Sequence, residues 1–159
     1  MDFFEASKIA TSWISEISRA KSKDIKFDDD GICSILINED ITIVIEIAKD
    51  FPSLYLYGPL VSLPTDDTAA SFLLLSRALE LNAFQGLTRG GAIAAIPGEG
   101  VLIFCQTMPI ESGSAELLIK VLSDCANTIE EIQAELSDYK KLSKKIDGDN
   151  NPKFQFIKI

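Results

Sequence analysis

Between residues 41 and 47 the chain reads Ile-Thr-Ile-Val-Ile-Glu-Ile. Isoleucine at every second position fits a β-strand, whose side chains alternate between two faces, and it commits one whole face to a core. The other face is not simply polar, because Val44 stands between Thr42 and Glu46. Two more strand-like runs flank this one: Ile32 to Ile37, set off by Asn38-Glu39-Asp40, and Leu54 to Leu60, which follows the breaker Asp50-Phe51-Pro52. Short turns between three such runs predict an antiparallel meander, entered through the turn Asp28-Asp29-Asp30-Gly31.

Helical periodicity brackets the meander. Phe3, Ala6, Ala10, Trp13, Ile14 and Ile17 recur at three- and four-residue spacings, the pattern of an amphipathic helix. A second helix starts near Pro64-Thr65-Asp66-Asp67-Thr68, with Thr65 or Asp66 as its cap, and runs to about Asn82. Its apolar residues cover most of its circumference, so it needs burial on more than one side. Beyond a glycine-rich turn from Gly86 to Gly91, Ala92 to Ile96 and Val101 to Thr107 flank Pro97-Gly98-Glu99-Gly100 and predict a hairpin. A last helix, capped by Ser112 or Ser114, carries the heptad-like seam Leu118, Leu122, Cys125, Ile129, Ile132, Leu136 and Tyr139. The expected fold is therefore α+β and two-layered: a twisted antiparallel sheet, meander plus hairpin, with three helices in the order α-β-β-β-α-β-β-α. It occupies residues 1–146 as one domain, and Asp147 to Ile159 follow as a flexible tail.

Composition excludes much chemistry. The 159 residues contain no histidine, which removes Ser-His-Asp and Cys-His nucleophile systems and imidazole-ligated zinc. Three cysteines, Cys33, Cys105 and Cys125, are too few for an all-thiolate zinc site, and each lies in an apolar run where a buried free thiol is expected. Placing Gly31 at the sixth position of an EF-hand loop puts Lys26 at the first ligand and Ile37 at the twelfth, so the three aspartates make a turn and not a calcium site. No catalytic residue, cofactor or metal is expected. The net charge of −9 argues against nucleic acid and anionic membrane surfaces, and no apolar run approaches the ~18 residues of a membrane span.

The informative anomaly is apolar surplus. Leu36, Val44, Tyr55 and Tyr57 lie opposite the inward residues of the meander, and Val101 to Cys105 is apolar on both faces. Such surface asks for a second cover, supplied by a twin subunit, a bound chain, or the last helix with the tail.

The order of elements, with Gly31-Ile32-Cys33-Ser34-Ile35-Leu36-Ile37, Leu54-Tyr55-Leu56-Tyr57-Gly58 leading to Leu63-Pro64-Thr65-Asp66, Leu79-Glu80-Leu81-Asn82, and the hairpin from Gly91 to Phe104, resembles the class I type III secretion chaperones, the Tir-chaperone family of Gram-negative bacteria. The resemblance covers about residues 3 to 140. It implies a cytoplasmic, ATP-independent homodimer, without enzymatic activity, that holds the N-terminal segment of one or more secreted effectors in extended form. It also implies the secretion ATPase as a further partner. By position, Phe4, Ile9, Leu36, Val44, Tyr55 and Tyr57 would face the effector, while Phe72, Leu75, Leu79, Ala94, Ile96, Leu102 and Phe104 would form the dimer interface. Two other classes fit the residues: a small dimeric adaptor that binds a folded partner, and a histidine-free enzyme using Lys or carboxylates, for which no converging set is legible.

Overall fold

The computed structural model describes every residue except Ser22, Glu39, Pro97 and 147–159, and for 138–146 it describes the helical backbone alone. The tail expected from Asp147 onward thus lies outside the described residues.

The chain runs α1 (Phe3–Lys21), β1 (Ile32–Ile37), β2 (Ile41–Ile47), β3 (Ser53–Ser62), α2 (Thr68–Asn82), α3 (Gln85–Thr88), β4 (Ala92–Ile96), β5 (Val101–Pro109) and α4 (Ala115–Ile146). The five strands form one antiparallel sheet in the order β1-β2-β3-β5-β4, so β1 and β4 are its edges. One difference from the expected order is α3, a single turn inside the glycine-rich segment, closed by Arg89 at φ +50°. Four residues are too few to show a helical period. A second concerns the α2 cap: Asp67, one residue beyond the expected pair, accepts from the Ala70 N–H at 2.8 Å. Before α4, Ser114 is the capping serine, its Oγ accepting from the Leu117 N–H at 3.0 Å.

Alternation is realised as read. Ile41, Ile43, Ile45 and Ile47 are all buried, with Leu54 and Leu56 beside them. Over this face lies α4, which buries the whole seam from Leu118 to Leu136, and α1 packs alongside through Ala6, Ala10, Trp13, Ile14 and Ile17. Gly58 lets α4 approach: a Cβ there would come within 2.7 Å of Ile129 Cδ1. Arg77 ties α2 to α4 through Glu135 at 2.8 Å, and Arg89 reaches Thr128 at 2.6 Å and Glu131 at 2.8 Å.

Before β1, Asp28 builds the predicted turn. Its carboxylate accepts from the N–H groups of Asp30 and Ile32, and Gly31 takes φ +79°.

Parity in β5 requires a correction. Leu102 and Phe104, expected at a dimer interface, are 1% and 0% exposed and belong to this chain's own core. Because Val101 to Cys105 is apolar on both faces, the sequence does not reveal which set points inward. The register decides it: Phe104 pairs with Gly58 and Ile93 on the helix-covered side, leaving Ile103 and Cys105 on the open face.

Candidate partner-binding surfaces

The two sheet edges differ in their backbone groups. In β1, the Gly31 carbonyl accepts from the Ile47 N–H, so Gly31, Cys33, Ile35 and Ile37 face β2. Ile32, Ser34 and Leu36 therefore turn their N–H and C=O groups outward. Asp28 occupies both groups of Ile32, its carboxylate taking the N–H and its own N–H meeting the carbonyl. Among the described residues nothing bonds those of Ser34 and Leu36.

Beneath this edge runs a groove of about 340 Å³ between the end of α1, the α1–β1 connection, β1 and the first turns of α4. Ile17, Ile25, Ile35, Ile37, Ile119 and Leu122 supply its apolar lining, while Lys21 and Lys23 stand on the same wall. At the other edge, β4 turns the Ile93 peptide outward, and Asn82 captures it. The Ile93 N–H donates to Oδ1 at 2.7 Å, and Nδ2 donates to the Ile93 carbonyl at 3.0 Å. A side-chain carboxamide thus takes the place of a neighbouring strand.

On the open face, Val44 pairs across to Tyr57 and Ser34, and Glu46 to Tyr55. The Tyr57 hydroxyl donates to Glu46 Oε2 at 3.5 Å, and Phe51 meets the Tyr55 ring edge-on at 6.0 Å. Burial, then the Glu46 charge, holds the Tyr57 hydroxyl above its ordinary pKa. Cys105 is half-buried here, in contrast to the expected burial, whereas Cys33 and Cys125 are buried and pushed up to about 12 by desolvation.

The residues expected to face an effector divide three ways. Leu36, 49% exposed, lines the β1 groove; Tyr55 and Tyr57 line a hollow on the open face, with Val44 between the two sites. Phe4 is exposed on the first turn of α1, and Ile9 is half-buried against the core, so neither joins those sites. Sequence reasoning missed Ile17, Ile25, Ile119 and Leu122 as one surface, since they come from three separate elements. The apolar pair Leu117 and Ile119, outside the α4 seam and both partly exposed, was the available signal.

On α2, Phe72 and Leu79 are 67% and 71% exposed and Leu75 is 36% exposed, while Leu74, Ala78 and Leu81 face inward. Ala94 and Ile96 of β4 are half-buried on the open face. Among the described residues no three His, Cys, Asp or Glu side chains converge, and no helix is long and apolar enough to cross a membrane.

The architecture is a small helix-backed antiparallel sheet whose accessible apolar surface lies at one strand edge, on the open face and along α2. Residues 14–133 match the model of the Tir chaperone protein (CesT) family, and the chain belongs to that family. A search of curated protein sequences gives no significant match.

Among solved structures, a chain of the HopA1-SchA chaperone-effector complex is similar with a TM-score of 0.62 at 19% identity, over 82% of this chain and 97% of that one. A chain of the ExsC-ExsE complex aligns with a TM-score of 0.68 at 14% identity, over 86% and 97%. A chain of the complex between the Yersinia pestis type III secretion chaperone SycH and a stable fragment of YscM2 gives 0.55 at 15% identity, over 77% and 98%. At such identities the likeness is one of fold.

Proposed function

We propose that the protein is a cytoplasmic type III secretion chaperone, without enzymatic activity, that holds the N-terminal segment of a secreted effector in extended form. The observation that carries this reading is the β1 edge, where the N–H and C=O groups of Ser34 and Leu36 have no partner among the described residues and stand directly above an apolar groove. An extended chain pairs its backbone with such an edge, drops alternate side chains into the groove and lays the others beside Leu36 and Val44. That mode needs apolar surface and no reaction centre. The histories of similar chains agree with it, since they were solved as complexes with effectors or protein fragments.

The exposed row Phe72, Leu75 and Leu79, with Ala94 and Ile96 nearby, supports a twin subunit as the other partner. Leu102 and Phe104 take no part in that interface. Scattering at the outlet of a sizing column should report about twice 17.4 kDa, and Leu75→Arg should yield monomers by placing an unpaired charge in the contact. A wild-type chain that stays monomeric at high concentration overturns the dimer.

The cargo test is co-expression with N-terminal fragments of larger proteins encoded beside this chain's gene. A fragment that is insoluble alone should become soluble and co-purify. A partner that binds only when folded supports an adaptor instead.

A further inference from the structure

The open face of the sheet bears a hollow whose two sides are unequal. From β3 rise Tyr55 and Tyr57; across β5, at Cys105 and Thr107, the opposite side consists of Gly90, Gly91 and Ala92, which offer at most a methyl group. Tall side chains against none leave about 410 Å³. The gap is fixed from behind, because a Cβ on Gly91 would run into the Phe104 ring in the core. A larger residue there would disrupt the core before it filled the hollow.

Glu46 belongs to the same wall, directly opposite Tyr55 in the register, and its carboxylate receives the Tyr57 hydroxyl. No Lys or Arg among the described residues pairs with it. Two strand spacings, roughly 10 Å, separate Glu46 from Thr107, and the glycines lie beyond β5 on the β4 side, so a long side chain that reaches in from over β5 lies across both tyrosines before it meets the acid.

We propose that this hollow is an arginine pocket for the extended partner chain, in which the guanidinium stacks on Tyr55 and Tyr57 and forks onto Glu46 while Gly90 and Gly91 admit the partner's backbone. Arginine fits better than lysine because its planar, weakly hydrated cation both stacks on an aromatic ring and donates two parallel hydrogen bonds to a carboxylate. The identity of the occupant rests on the effector-binding reading; the pocket itself does not.

The probe is N-acetyl-arginine N-methylamide, titrated into the full chain and followed by amide NMR shifts. Saturable shifts should appear at Glu46, Tyr55, Tyr57, Gly91 and Thr107. The citrulline analogue, equal in shape but uncharged, should bind at least tenfold more weakly, and Glu46→Gln should weaken the arginine probe by a similar factor. Glu99→Gln, on the hairpin turn, should change nothing, and Ala92→Leu should block the probe from the opposite wall with the fold intact. Shifts that do not saturate, equal binding of citrulline, or indifference to Glu46→Gln overturn the pocket. Effector fragments captured equally by wild type and Glu46→Gln, with no arginine shifts, would sink the pocket and leave the chaperone reading standing. A working pocket in a chain that captures no fragment would do the reverse.

Discussion

The two edges of the sheet solve one problem in opposite ways. Every edge strand presents N–H and C=O groups that would template another strand. At β4 the exposed peptide of Ile93 is bonded by the Asn82 carboxamide, with α2 packed beside it. At β1, among the described residues, Asp28 satisfies the first outward residue, Ile32, and nothing bonds the peptides at Ser34 and Leu36 above an apolar groove. A protein avoiding strand addition would close both. Capping β4 at Ile93, which leaves Ala95 as its other outward peptide, while furnishing β1 with a groove favours β1 as the edge for an incoming strand.

The largest expected effect is on the floor common to both edges. Ile43 and Ile45 are fully buried under α4, so either Ile→Ala change should cost on the order of 2–5 kcal/mol in chemical unfolding. A loss below about 1 kcal/mol would mean that α4 does not seal the sheet. Next comes the closed edge. Asn82→Leu leaves the N–H and carbonyl of Ile93 without their partners, at about 1–3 kcal/mol, and opens β4 to strand addition. Concentration-dependent association beyond the wild-type assembly is the expected readout. If Asn82→Leu is as stable and as discrete as wild type, the closed edge owes nothing to the carboxamide, and the contrast between the edges fails.

Ser34→Pro acts on the open edge. Its ring replaces an N–H that points away from β2, a position where sheets tolerate proline. Stability should change by about 1 kcal/mol or less, while capture of an effector segment falls at least tenfold. Equal loss of capture and of folding would place Ser34 in the ladder rather than at a free edge.

These surfaces were unequally legible in the sequence. Alternation in Ile41–Ile47 and the α4 seam predicted the core, because burial on one face leaves a period of two or of three to four. The open face showed through as surplus: Val44, Tyr55 and Tyr57 were readable as apolar residues opposite a committed core. In β5 the same surplus misled, since apolar residues on both faces erase the parity that would have kept Leu102 and Phe104 out of the expected dimer interface. Neither the groove nor the Asn82 bond was legible. The groove joins Ile17 and Ile25 to Ile119 and Leu122 across most of the chain, and the Asn82 bond depends on where α2 settles against β4. Both are products of tertiary packing.

The smallest effect comes from the three thiols, which report how firmly each part of the sheet is held. Burial raises the pKa of Cys33 and Cys125 from 9.0 to about 12, so the native state keeps protons that the unfolded chain releases above pH 9. Their contribution to stability is therefore constant below pH 9 and falls as pH rises from 9 toward 12. Near pH 8 both are protonated as well as covered, and alkylation of either requires the surrounding structure to open, because the thiolate is the reactive form. Cys105, half-buried on the open face, should react first with iodoacetamide. Cys33 sits on β1, with one hydrogen-bonded neighbour strand, and Cys125 on α4 in the seam. Local opening of an edge strand costs less than global unfolding. Cys33 should accordingly react before Cys125, whose labelling should follow the unfolding equilibrium, and a bound effector strand should slow Cys33 alone. Cys33 and Cys125 reacting together, at a rate set by global unfolding, would mean that β1 is held as tightly as the centre of the molecule.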